Sequence, residues 1–169
     1  MRLARGHRKV SRLNYLKEFI GNEVIISAVF SWITAQVLKA TIFFIINRDF
    51  RLERLLGDGG MPSSHSATVV GMTTAVAFLY GVGSGLFGLS LIFAMVVMHD
   101  ASGVRLETGK QAVVLNDMMQ LFTDMGKPIP VEDKLKEFVG HTPLQVFFGA
   151  LTGLAVAALV HLIRFRAGI

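Results

Sequence analysis

Apolar residues arrive in four long blocks separated by short polar punctuation, and that pattern predicts membrane-crossing helices. From Val24 to Ile46 only Ser, Thr, Gln36 and Lys39 interrupt 23 residues. Ala67–Tyr80 is apolar or small throughout, and Gly85–Met98 repeats that character. Pro143–Phe165 is charge-free until Arg164, apart from the titratable His161. A hydrocarbon core of about 30 Å takes about 20 helical residues. The first and fourth blocks reach that length alone; the second and third reach it with their flanks, His65–Val82 and Gly83–Gly103. The pattern therefore predicts helices over 24–47, 65–82, 84–103 and 143–165. A basic tail precedes them over 1–22, and an extramembrane segment fills 106–140. Gly109–Ala112 and Leu115–Asp117 open a surface helix in that segment, and amphipathic Lys134–Glu137 predicts a solvated helix leading into His141. The fold class expected is an all-α integral membrane bundle, one domain over 1–169, with about four crossings and that surface helix between the third and fourth.

An even number of crossings puts both termini on one side of the membrane. The loop 48–64, the start of the second helix, Asp100, Arg105, the segment 106–140 and His141 then share the opposite side. Ser63 or Ser64 suits the N-cap of the second helix, which places His65 in or beside its first turn. Thr142 suits the N-cap of the last helix, and Pro143 its first position. Gln36 and Lys39, three residues apart, lie on one helical face. Taken singly, each has a bland reading. Lys39 snorkels to the interface, Asp100 pairs with Lys39 or Arg105, and His65 is incidental to a capped helix start. His161 reads as interfacial, and His99 and Asp100 point about 100° apart, so at most one faces inward.

Together the residues say more. Helix starts carry unpaired N–H groups and favour anions, and intramembrane charges mark functional interiors. Two histidines at helix starts, with cations and one carboxylate at the same depth, are the parts of phosphoryl transfer. Cations neutralise phosphate oxygens, one imidazole attacks, and the other protonates the leaving oxygen. Lys110 and Asn116 are further candidates to touch a substrate.

Composition supports the membrane assignment. The chain has 169 residues, 52% hydrophobic, with 13 Phe and a mean hydropathy of +0.54, beyond an ordinary soluble domain. With no cysteine, disulfides and thiolate metal sites are excluded. Six Lys and Arg through Lys17 favour cytoplasmic termini and an outward-facing polar side. Anionic lipid headgroups account for the net charge of +5 better than nucleic acid does. No carboxylate cluster suits a hard cation, so neither metal nor cofactor is expected.

Met61-Pro62-Ser63-Ser64-His65-Ser66-Ala67, Asp100-Ala101-Ser102-Gly103-Val104-Arg105 and Gly140-His141-Thr142-Pro143 resemble the divergent branch of the type 2 phosphatidic acid phosphatase superfamily. Vanadium-dependent haloperoxidases share that superfamily, and the match runs from about Ala35 to Gly153. The wider family carries a Lys followed by Arg-Pro, a Pro-Ser-Gly-His, and a Ser-Arg with a downstream His and Asp. The resemblance implies that Lys39 grips phosphate oxygens with Ser63, that His65 is the general acid, and that His141 is the nucleophile forming a phosphohistidine.

The chain also departs from that pattern. Arg48 lies nine residues after Lys39 and is followed by Asp49, not Pro. Ser64 replaces the second-motif Gly, Gln145 replaces the third-motif Asp, and Leu135, between Lys134 and Lys136, stands where the third-motif Arg is expected. Arg105 and Asp100 are the candidates to supply the missing guanidinium and carboxylate, with Gln145 and Gln36 in support. The implied activity is metal-independent, vanadate-sensitive hydrolysis of a phosphomonoester or pyrophosphate on a lipid headgroup, in a bacterial-type cell membrane. The alternative is a non-catalytic membrane protein that binds a phospholipid headgroup or scaffolds a partner. Four helices make a small bundle, so a homodimer is plausible.

Overall fold

The computed structural model of the chain describes residues 12–48, 60–127, 134–137 and 139–168. Most of the basic tail, residues 1–11, and the acidic and basic loop 49–59 lie outside the described residues. Among the described residues there is no strand. Within them six helices follow one another: α1 Arg12–Ile20, α2 Glu23–Asn47, α3 Ser64–Tyr80, α4 Gly85–Ser102, α5 Val104–Asp124 and α6 Pro143–Ala167. The chain is an all-α membrane bundle, with α3 at its centre against α2, α4 and α6.

The bundle is polar and small inside, bulky and apolar outside. Ser27, Ser31, Ser63, Ser66, Ala35, Ala67, Ala75 and Ala157 are fully buried, whereas Phe30, Trp32, Phe44, Leu89, Phe93 and Phe147 are exposed. Water would punish that arrangement; lipid does not. Acyl chains are as apolar as Leu, so helices associate through close approach and hydrogen bonds. Ser27, Ser31, Ala35 and Lys39 recur every fourth residue along the inward face of α2. Gly149 and Gly153 on α6 let that helix close onto Ser63 and Ala67 of α3 with no room for a Cβ.

Among the described residues, three helical stretches are long and apolar enough to cross a membrane: Glu23–Asn47, the run Gly85–Asp124, and Pro143–Ala167. The second predicted crossing, 65–82, is shorter than expected. α3 has 17 residues, which rise about 25 Å at 1.5 Å each, and it stops where the Gly81 N–H caps onto Ala77. The predicted tail 1–22 contains α1 from Arg12 onward. The surface helix starts at Val104, directly after the interruption at Gly103, rather than near Gly109.

Lys134–Glu137 is not a helix. Asn116 of α5 explains why: its Nδ2 donates to the Leu135 carbonyl at 2.9 Å, and its Oδ1 accepts the Leu135 N–H at 3.0 Å. With Leu135's backbone groups taken by a side-chain amide, that residue needs no helical partners and the segment runs as a strap across α5. Gly109 lets the strap lie against α5, since a Cβ there would meet the Glu137 carbonyl at 2.6 Å.

At the terminal end of the bundle, His161 acts as a pin. Its Nδ1 lies 2.7 Å from Oε1 of Glu23, which is 8% exposed. Arg164 Nε approaches the other carboxylate oxygen at 3.4 Å, and the His161 ring stacks on Phe78 at 4.6 Å. One cluster thus ties α2, α3 and α6 together.

Candidate active site

Two helix starts meet at the opposite end. Ser63 caps α3, its Oγ accepting the Ser66 N–H at 3.3 Å and the Ser66 hydroxyl at 3.1 Å. Its own N–H donates to the Gln145 carbonyl at 3.0 Å, stitching the approach to α3 onto the first turn of α6. His65 is therefore the second residue of α3. Thr142 caps α6, and Pro143 occupies the first helical position, where no N–H is needed. His141, just before the cap, is 1% exposed and donates its N–H to the Ala101 carbonyl at 2.8 Å. Gly140, at φ 88, lies flat on the Arg105–Leu106 backbone in a conformation and a space that only glycine fits. The outcome is a pair of imidazoles, His65 and His141, with ring centroids 5.9 Å apart and planes tilted by 59°.

Gln145 sets the proton on His141. Its Oε1 accepts the Thr142 N–H at 3.0 Å while Thr142 Oγ1 accepts the Gln145 N–H at 3.4 Å, a reciprocal capping box. A backbone N–H can only donate, so the amide must turn its oxygen this way. The same oxygen lies 3.4 Å from His141 Nδ1, a long hydrogen bond in which the ring nitrogen has to be the donor. The neutral ring then carries its lone pair on Nε2.

The other predicted residues fall into three positions. Lys39 is 3% exposed, and its stem runs along Gly60, where a Cβ would sit 3.1 Å from Lys39 Cγ. Gly60, at φ 100, precedes Ser63 by three residues, so the buried lysine flanks the same turn. Gln36 is buried one turn earlier on α2, and its Oε1 has no hydrogen-bond partner among the described residues. Ser64 is buried beside Ser63, its carbonyl accepting the Thr68 hydroxyl at 2.7 Å. Asp100 and Arg105 pair with each other at 2.7 Å, both about 40% exposed, where Gly140 docks on α5. Arg48 is the left-handed C-cap of α2, at φ 51, and is exposed.

A cavity of about 400 Å³ opens between the cap of α6, α5 and the turn at Gly60, and neither histidine nor Lys39 itself lines it. Gly60 and Phe43 line it on the Lys39 side, and Gly140, Thr142 and Gln145 line it on the His141 side. The capping box was readable in the sequence as Thr142-Pro143-Leu144-Gln145, a T-x-x-Q signature that assigns Gln145 a role besides replacing a carboxylate. Asn116 and Glu137, 21 residues apart, carry no comparable local signal, although Asn116 Nδ2 donates to Glu137 Oε1 at 2.8 Å.

The chain is 40% identical over 152 residues to the uncharacterized membrane protein YuiD of Bacillus subtilis (strain 168), covering 85% of this chain and 96% of that one. No solved structure matches. A family model described as the divergent PAP2 family matches residues 20–156, which include both histidines, Lys39 and the Asp100–Arg105 pair. By that match the chain belongs to the divergent PAP2 family.

Proposed function

We propose that the chain is a lipid-phosphate phosphatase working through a phosphohistidine. The observation that carries this reading is the imidazole pair, 5.9 Å apart at the starts of two helices. His141 Nε2 attacks phosphorus, the P–O bond to the lipid breaks, and His65 gives its proton to the leaving oxygen. Water then loses a proton to His65 and attacks phosphorus. The P–N bond breaks, its electron pair returns to His141, and phosphate departs. Lys39, Ser63, Ser64, Arg48 and the N–H groups that the caps leave open in the first turn of α3 hold the phosphate oxygens.

Gln145 orients His141 in this scheme. Arg105 keeps Asp100 on its Nε and offers its Nη groups to a phosphate oxygen. The chain crosses the membrane four times with both termini cytoplasmic, and the site faces outward at headgroup depth.

The test is phosphate release by the detergent-purified protein from phosphatidic acid, phosphatidylglycerophosphate and polyprenyl diphosphate. Turnover of one of them without added metal, lost in His65→Ala and in His141→Ala, is the expected result. Turnover surviving in His141→Ala overturns the scheme. The neutral Gln145, in place of the family's carboxylate, favours a second reading as a phospholipid-binding protein. That reading requires lipid binding by the native chain with no phosphate release from any of the three.

A further inference from the structure

The cavity that adjoins His141 through its neighbours Gly140 and Thr142 is larger than a phosphate needs: its volume of about 400 Å³ lies in the range of small-molecule sites. The part of the wall contributed by α5 and the strap decides what fills the rest. Two charged side chains line it, Lys110 and Glu137. Lys110 is already engaged, its Nζ 2.6 Å from Glu107 Oε1 with both side chains at least 60% exposed. Water screens what remains of its charge.

Glu137 is exposed as well, so water screens its charge too, but its carboxylate is held in place. Asn116, anchored on the Leu135 backbone, donates to Glu137 Oε1 at 2.8 Å, fixing the carboxylate without neutralising it. Among the described residues no cation pairs with Glu137, and its Oε2 accepts no hydrogen bond. A fixed carboxylate with an open oxygen accepts hydrogen bonds from hydroxyls and repels anions. The neighbouring wall of Leu106, Val113 and Val139 suits C–H faces.

Resting on the phosphatase reading of the same site, we propose that Glu137 is a specificity-determining residue, positioned by Asn116. It accepts hydrogen bonds from a hydroxylated headgroup that carries the reactive phosphate, and it disfavours a second phosphate in that place. The substrate class is then a lipid whose terminal phosphate sits on a polyol, rather than a lipid diphosphate. A hydrogen bond to a charged group supports about tenfold discrimination in this setting.

The experiment uses the full-length protein in detergent and the isosteric Glu137→Gln. Steady-state kinetics compare a polyol-monophosphate lipid, a monophosphate lipid without free hydroxyls, and a polyprenyl diphosphate. The expected result is a KM about tenfold higher for the polyol lipid in the variant, with kcat unchanged. The diphosphate should gain relative to both monophosphates. Equal changes for all three overturn the proposal, because a merely structural role would affect them alike. In parallel, calorimetry measures binding of glycerol 3-phosphate and inorganic pyrophosphate to the native protein. Preference for glycerol 3-phosphate, lost in Glu137→Gln, is expected; pyrophosphate binding as tightly as glycerol 3-phosphate overturns the proposal. If the native protein turns over no lipid yet keeps that binding preference, the phosphatase reading falls and the assignment of Glu137 stands.

Discussion

Replacing Gln145 should separate the orienting of His141 from its chemistry. In Gln145→Leu, the Thr142 N–H loses its acceptor at 3.0 Å and His141 Nδ1 loses its partner at 3.4 Å. The lost half of the capping box and the lost hydrogen bond to His141 are worth about 1 kcal/mol each, so stability should fall by about 2 kcal/mol. The ring, no longer directed by that oxygen, also redistributes its proton between the two nitrogens, and about 1 kcal/mol of lost tautomer preference lowers the productive share, and with it the rate, roughly twofold. Gln145→Glu keeps both acceptor contacts and adds a negative charge where the imidazole becomes cationic during attack. Charge-assisted hydrogen bonds exceed neutral ones by about 1 kcal/mol, so the first step should accelerate roughly fivefold. A carboxylate in the first turn of α6 also suits the helix dipole. Single-turnover phosphate release, beside thermal unfolding followed by the fluorescence of Trp32, reads both effects. A Leu variant at the native rate, or a Glu variant no faster than the Leu variant, would refute the assignment of Gln145.

Three further outcomes follow from the same geometry. Gly60→Ala, at φ 100 and 3.1 Å from Lys39 Cγ, should displace the buried lysine and raise KM for a phosphate-bearing lipid about tenfold, while thermal stability falls by about 1 kcal/mol; unchanged kinetics would detach Lys39 from the site. Gly153→Leu should prevent α6 from closing onto Ala67 and Gly71, giving aggregated material in size-exclusion chromatography, whereas a monodisperse and active variant would contradict the packing. Glu23→Ala leaves His161 and Arg164 without their carboxylate, and the melting profile should show a loss of about 2 kcal/mol after allowing for the 33% exposure of the His161 side chain. Since the pin lies far from the histidine pair, kcat per folded molecule should stay at the native value, and a large drop in kcat would contradict that separation.

How much the sequence disclosed depended on whether a feature was local. The apolar blocks announced α2, α4 and α6, because hydrocarbon thickness sets a length that composition alone can meet. The caps Ser63 and Thr142 were legible because a hydroxyl, followed by Pro or by a small-residue helix, is a nearest-neighbour signal. From those caps came the placement of His65 and His141 at helix starts. The strap was misread as a helix because Lys134–Glu137 has helical amphipathicity, while the Asn116 amide that captures its backbone is 19 residues from Leu135. The His161 pin was missed for the same reason: Glu23 lies 138 residues away, and a histidine near a helix end looks interfacial until its partner is known. Asp100 and Arg105 were correctly suspected of pairing.

The most direct measurement is to quench the enzyme during turnover of a lipid bearing a labelled terminal phosphate, then locate the label by peptide mass spectrometry. The account predicts an acid-labile phosphoryl group on the peptide containing His141, present in the native enzyme, formed more slowly in His65→Ala and absent from His141→Ala. Turnover without any protein-bound phosphate, or a label carried by another residue, would contradict the phosphohistidine scheme.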